Sequence, residues 1–227
     1  SLTDSQGSTL NVASTQDVIF ASGAATKFVI LDPTDGTAGT QIAVTVQAQD
    51  ANNNLVPTYQ TDVTLNADGS ATGDGLVAIT NGTGTLNIND LVAETVNLSL
   101  TDSQGSTLNV ASTQDVIFAP GPATKFVILD PTDGTAGTQI AVTVQAQDAN
   151  NNLVPTYQTD VTLNADGSAT GDGLVAITNG TGTININDLV AETVNLSLTD
   201  SQGSTLNVAS TQDVIFAPGA ATKFVII

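Results

Sequence analysis

The chain has 227 residues without Cys, His, Met or Trp, and its formal net charge is −19 because 22 acidic residues face three basic ones. Phosphate and anionic lipid binding need clustered Lys or Arg, so this balance argues against nucleic acid partners and direct membrane binding. Without His or Cys the chain has no Ser-His-Asp or Cys-His arrangement and no usual zinc ligand set, so we do not expect an enzyme.

Disorder is also disfavoured. Hydrophobic residues make up 40% of the chain and charged residues 11%, whereas disordered chains combine low hydrophobicity with high charge density. The charge instead keeps a long polymer soluble.

The sequence is a tandem array with a period of 98 residues. Lys27, Lys125 and Lys223 occupy the same place in successive copies, since 125 − 27 = 223 − 125 = 98. Residues 24–121 and 122–219 differ only at Ala24/Pro122 and Leu86/Ile184. A unit of this size is expected to fold around its own core. We therefore predict four parts: 1–23, the C-terminal part of a preceding repeat; 24–121 and 122–219, two complete repeats; and 220–227, the first strand of a following repeat.

Each repeat contains a series of short predicted strands. In chain order the segments are ATKFVIL, TQIAVTVQAQD, DVTLNAD, LVAIT, GTLNIND, ETVNLSLTD and DVIFA, the first and last being predicted edge strands. Apolar and polar residues alternate along them, which is the period of a half-buried strand. LVAIT and GTLNIND flank Asn81-Gly82, a two-residue hairpin signal, because Asn and Gly tolerate positive φ. The pattern predicts an all-β chain of tandem antiparallel immunoglobulin-like β-sandwiches.

The succession of ATKFVIL, TAGTQIAVTVQAQDANNNLV, GLVAITNGTGTLNI and AETVNLSL resembles the bacterial immunoglobulin-like (Big-like) repeats of invasin and intimin-type surface proteins and large adhesins. The DANNNLV turn lacks the Gly that is usual in that family, but its Asn residues can adopt the same left-handed conformation. The resemblance implies an extracellular module at the bacterial cell surface that works as a spacer, stalk or adhesive arm.

No cofactor is required by the predicted fold, but the acidic turns offer oxygen ligands for calcium. Asp50, Asn52 and Asn54 alternate as in the first part of an EF-hand loop, without its Gly and bidentate Glu. In an immunoglobulin-like sandwich, acids near the end of one repeat would approach this turn in the next. The candidate calcium ligands are therefore Asp50, Asn52, Asn54, Asp90, Glu94, Asp148, Asn150 and Asn152, with solvated acidic loops as the alternative.

The single Lys of each repeat suggests another kind of site, an amide bond from a first-strand Lys to an Asn or Asp near the last strand. Lys27 with Asn109 or Asp115 fits this spacing. If Phe28 faces the core, however, alternation turns Lys27 outward, which favours an exposed Lys that protects an edge strand.

The linkers favour a stiff rod. SGAA, PGPA and PGAA join the last strand of one repeat to the first strand of the next, and Pro120 and Pro122 fix their own φ angles. Neighbouring identical repeats, in the same chain or in adjacent chains, are the expected partners. A host or cell-surface ligand stays unassigned, because the alternation leaves no exposed apolar patch.

A second interpretation is a subunit of an extracellular filament. Ser1 and Ile227 both fall within predicted strands. Terminal domains that are incomplete in one chain would then be completed by the next chain, head to tail.

Overall fold

The structure is a computed structural model that describes residue 3, residues 5–7 and residues 16–224. The described residues form strands and connecting turns without helices, and hence hold no helix long and apolar enough to cross a membrane. The strands of the first sandwich are β1 (Lys27–Ile30), β2 (Gly36–Thr37), β3 (Gln41–Gln49), β4 (Val63–Ala67), β5 (Gly75–Val77), β6 (Thr83–Asn89), β7 (Thr95–Thr101) and β8 (Thr113–Ala119). Those of the second are β9 (Lys125–Ile128), β10 (Gly134–Thr135), β11 (Gln139–Gln147), β12 (Val161–Ala165), β13 (Gly173–Val175), β14 (Thr181–Asn187), β15 (Thr193–Thr199) and β16 (Thr211–Ala217).

Each sandwich packs a three-stranded sheet against a five-stranded sheet. In the first, the orders are β1-β3-β6 and β2-β8-β7-β4-β5, and the second repeats both orders with its own strands. The named strands pair antiparallel except for the short contact of β2 with β8 and its counterpart, which are parallel, and the isolated bridges Lys27–Asn109 and Lys125–Asn207 are parallel as well. These are the two sheets of an immunoglobulin-like sandwich, so the predicted fold class is confirmed.

The alternating strands bury one face each, as their sequences predict. Ile42, Val44, Val46 and Ala48 of β3 are buried, and so are the equivalent residues of β11. Phe28 contacts Tyr59 edge to face, with ring centroids 5.5 Å apart, a geometry that aromatic pairs favour. Each repeat therefore has its own aliphatic core with a small aromatic cluster.

Two details of the strand prediction differ from the structure. Asn81 (φ 53°) and Gly82 (φ 75°) form the predicted tight turn, but pairing ends at the Thr80–Thr83 bridge. The flanking strands then separate, because β5 joins β4 while β6 joins β3 in the other sheet. The DVIFA segment is not an edge strand, since β8 lies between β7 and the two-residue β2.

The strands of the two sandwiches fall within 27–119 and 125–217. Residues 220–224 carry no strand and are exposed, and most of the predicted tail at 1–15 lies outside the described residues. The four-part division of the chain stays a prediction.

Candidate functional site: the joint between the repeats

The turn at 148–152 lies at the end of the second repeat that faces the first. It follows β11, and Asn151 adopts a left-handed conformation with φ of 72°, as Asn53 does at 68° in the first repeat. The Asn residues thus supply the conformation predicted for this turn without Gly. The Asp148 Oδ1 atom accepts the N–H groups of Asn150 and Asn152, both at 2.8 Å.

The same carboxylate also holds the linker. Asp148 Oδ2 accepts the N–H of Gly121 at 2.9 Å and the side-chain amide of Asn152 at 3.0 Å. Burial works to raise the pKa of Asp148, but the hydrogen bonds from Asn152, Gly121 and Asn150 outweigh it and lower the pKa. Asp50 forms the equivalent bond to Gly23 at 2.8 Å. In Asp50 the Asn54 side chain, followed by Gly23, lowers the pKa to about 2.

Two Asn side chains of this turn cross to the first repeat. Asn150 Nδ2 donates to the carbonyl of Ala38 at 3.1 Å. Asn152 is bidentate: its Nδ2 donates to the carbonyl of Leu91 at 2.9 Å and its Oδ1 accepts the N–H of Ala93 at 2.9 Å. Because one planar amide satisfies both a donor and an acceptor, this contact constrains orientation as well as distance. The joint is thus fixed by directional hydrogen bonds on both sides of the linker.

The receiving surface on the first repeat has room for Asn150 only because residue 39 is Gly. Gly39 has φ of 87°, and a Cβ atom there would lie 2.7 Å from Asn150 Nδ2. Its N–H donates to the carbonyl of Asp90 at 2.6 Å, which connects the β2–β3 turn to the loop that receives Asn152. We call the surface formed by Ala38, Gly39, Leu91 and Ala93 the receiving face.

A buried carboxyl group supports the loop of the receiving face. Asp90 is 1% exposed; its Oδ1 accepts the N–H of Val92 at 2.8 Å, while its Oδ2 has no hydrogen-bond donor among the described residues. Burial and the neighbouring Glu94 raise the pKa of Asp90. The N–H of Ser70 donates to Glu94 Oε1 at 2.6 Å and lowers the pKa of Glu94. Asp90 therefore retains its proton more readily than Glu94 does.

The structure brings some of the predicted calcium ligands together and gives their polar atoms other partners. The loop of Asp90 and Glu94 does meet Asn152, while Asn150 meets the β2–β3 turn, which the sequence did not predict. Asp50, Asn52 and Asn54 form a local network in which the Asp50 carboxylate accepts from both Asn residues. No group of three or more Asp or Glu side chains in the described part of the chain could hold a metal ion. The calcium site stays a prediction.

The receiving atoms of the joint were not found from the sequence. They are backbone groups of Ala38, Leu91 and Ala93, and no side-chain motif marks them. The bond from Asp148 to the linker was also missed. The sequence does carry a signal for its local bonds, because an Asp at the start of an Asn-rich turn favours carboxylate bonds to nearby N–H groups.

The Lys side chains lie near a different partner from the one considered for an amide bond. Lys125 Nζ donates to Asn151 Oδ1 at 2.5 Å, and Lys27 Nζ donates to Asn53 Oδ1; both lysines are half-buried. The Asn109 Oδ1 atom instead accepts the N–H of Ala111. The backbones of Lys27 and Asn109 do pair through a parallel bridge, but the side-chain contacts favour ordinary lysines on an edge strand.

No protein-family model matches the sequence, and no curated protein matches it. Among solved structures the chain is similar to the Escherichia coli adhesin FdeC, with 19% identity and a TM-score of 0.46 over 87% of this chain and 67% of that one. It is also similar to InvD of Yersinia pseudotuberculosis, with 22% identity and a TM-score of 0.43 over 88% of this chain and 60% of that one. A Bacteroides vulgatus β-glycosidase matches at 12% identity, with a TM-score of 0.38, over 86% of this chain and 25% of its own length.

These likenesses concern the fold alone, since all three identities are below 25%. The chain spans about two thirds of the FdeC chain and less of the InvD chain.

Proposed function

We propose that this chain is a structural extracellular module of a long bacterial surface protein, in which tandem sandwiches form a stiff rod or stalk. The observation that carries the proposal is the joint: the side chains of Asn150 and Asn152 bind the backbone of the preceding repeat. Side chains that cross between repeats at such positions restrict hinging in a way that a linker alone does not.

Other features support the same function. The linker is short, contains Pro120 and Pro122, and is tied to the second repeat through the bond from Gly121 to Asp148. The core of each repeat contains no residue of the other, so a further repeat can be added without a change in the existing cores. The longest strands have nine residues and span about 30 Å, so each repeat together with its turns and joint would extend the rod by about 35–45 Å.

Small-angle X-ray scattering of the 227-residue chain at low concentration tests this function. A stiff pair of repeats gives a single extended particle with a largest dimension of about 70–90 Å. The variant N150A/N152A removes the amides of the joint and is expected to give a broader distribution of distances. The variant N52A/N54A is the matched control, because it makes the same change in the equivalent turn of the first repeat.

A wild-type chain whose scattering requires many bent conformations would contradict the rod. So would an N150A/N152A chain that scatters like the wild type, because the joint would then owe its geometry to something other than these amides.

The filament assembled by strand complementation is the second candidate, and electron microscopy separates the two. Discrete short rods about two repeats long support a covalent stalk whose length is set by the number of repeats. Long fibres from the isolated chain support the filament.

A further inference from the structure

The second repeat carries its own copy of the receiving face. The equivalent residues are Ala136, Gly137, Leu189 and Ala191, displaced by 98 from those of the first repeat. No residue differs between the two faces, so their hydrogen-bonding groups are the same. The face of the first repeat binds the turn at 148–152, while the face of the second has no such partner among the described residues.

The two faces differ in the way that an occupied and an open surface should differ. A Cβ atom at Gly39 would meet Asn150, whereas a Cβ atom at Gly137 would meet no described atom within 4 Å, although both residues have φ of 87°. Leu91 is 57% exposed in the joint, and its equivalent Leu189 is 80% exposed.

The complementary turn is open at the other end of the described chain. Asn52 and Asn54 are exposed, whereas Asn150 and Asn152 in the joint are half-buried. The Asp50 carboxylate already holds the turn in shape through the N–H groups of Asn52 and Asn54, both at 2.9 Å. The turn is therefore preorganised for the contact that its counterpart makes.

We propose that the face formed by Ala136, Gly137, Leu189 and Ala191 is a docking surface for the Asp50–Asn54 turn of a second copy of this chain. In the docked state Asn52 would donate to the carbonyl of Ala136, and Asn54 would bind the carbonyl of Leu189 and the N–H of Ala191. Residues 220–224 carry no strand and are exposed, and docking requires that they leave the linker position together with residues 20–22 of the second copy, which lie beside Asn54. The face is selective for this turn for two reasons. Its backbone groups require one amide that binds as both donor and acceptor in a fixed orientation, and Gly137 leaves room for a second amide beside it.

Docking between separate chains is weak and depends on salt. Within one chain a short linker supplies an effective concentration in the millimolar range, and a joint that stays closed under this concentration needs a contact whose Kd is lower. The same contact between two chains is therefore expected to have a Kd below about 1 mM. Two chains that each carry a net charge of −19 repel one another, and added salt should strengthen the association by screening this repulsion.

This inference rests on the proposed function, because it transfers the contact of the stiff joint to a second chain. The test uses nuclear magnetic resonance of a ¹⁵N-labelled chain carrying N52A/N54A, which offers only its docking surface. Unlabelled wild-type chain, which offers the intact turn, is added up to about 2 mM. The amide signals of Gly137, Leu189 and Ala191 are expected to shift with half-saturation below about 1 mM, and more readily at higher salt.

An unlabelled partner that also carries N52A/N54A is the matched control and should leave those signals in place. Equal shifts with both partners, no shift, or shifts confined to other surfaces would each overturn the proposal. The signals of Gly39, Leu91 and Ala93 in the labelled chain report separately on the internal joint. If they match those of Gly137, Leu189 and Ala191 in the dilute sample, the stiff joint itself has failed. If they differ and no docking occurs, only the docking surface has failed.

Discussion

Gly39 shows how one residue can decide whether two domains fit together. Positive φ alone explains why Gly is favoured there, but the same φ occurs at Gly137, where no described neighbour approaches. The additional requirement at residue 39 is space for the Asn150 amide. The two positions are therefore a natural matched pair, alike in backbone conformation and different in what they contact.

We expect G39A to disturb the joint and G137A to leave it intact. Both substitutions carry the cost of a left-handed Ala, about 1 kcal/mol, but only the methyl group added by G39A would displace Asn150 and break its bond to Ala38. Small-angle scattering at low concentration should show a changed distance distribution for G39A alone. Identical profiles for the two variants would show that the close contact at Gly39 does not position the second repeat.

At the scale of elements, the joint is a meeting of turns, while the strands beside it are already paired. The outer edge of β1 is covered by its own repeat: Phe28 N–H donates to the Asn109 carbonyl, and Ile30 N–H donates to Ser112 Oγ at 3.0 Å. Covering this edge protects neighbouring identical repeats from exchanging strands. The β6–β7 loop, by contrast, combines the buried Asp90 with backbone groups that receive Asn152.

This loop is expected to be more stable when residue 90 is neutral. Because the pKa of Asp90 is raised above its ordinary value of 3.8, its ionisation is less favourable in the folded state than in the unfolded chain. Its contribution to the free energy of unfolding is therefore largest at low pH and is lost as the pH rises from 3.8 through the folded pKa. D90N keeps an oxygen for the Val92 N–H and should stabilise the protein by about 1 kcal/mol at pH 7, with little gain near pH 3.

Chemical denaturation of the wild type and D90N at several pH values measures this difference. A loss of stability in D90N at neutral pH would mean that the Asp90 carboxylate has a favourable charged partner, and a loss confined to calcium-containing buffer would identify that partner as the metal.

At the scale of the molecule, both repeats are acidic, and the joint between them is made by neutral amides, which add no charge repulsion. Each repeat from Lys27 to Thr124 holds nine Asp, one Glu and one Lys, so neighbouring repeats repel. Asn side chains can join them without adding charge, and Asp148 acts within its own turn and on the linker.

The joint should accordingly form without calcium. Extracellular calcium modules bind with Kd values of about 0.1–1 mM, so buffers with about 5 mM calcium and with chelator provide the comparison. We expect the same melting temperature and the same scattering profile in both. A higher melting temperature or a longer particle in calcium would support the predicted ligands, and replacing Glu94 by Gln would then show whether the site includes the loop of the receiving face.

The sequence by itself determined the repeat period, the sandwich fold and most of the core, because alternation records which face of each strand is buried and Asn-Gly records a turn with positive φ. It also indicated the turn at 148–152 and the loop of Asp90 and Glu94 as parts of the joint, since the order of strands fixes the end of the sandwich at which each loop lies. Only the tertiary structure decided that Asn150 and Asn152 bind backbone groups and that Gly39 leaves room for them. Those contacts join atoms of residues 59 to 112 positions apart, and their acceptors are carbonyl and N–H groups that every residue possesses. The divergence of β5 and β6 into different sheets has the same origin, because long-range packing of the strands, and not the local turn, selects their partners.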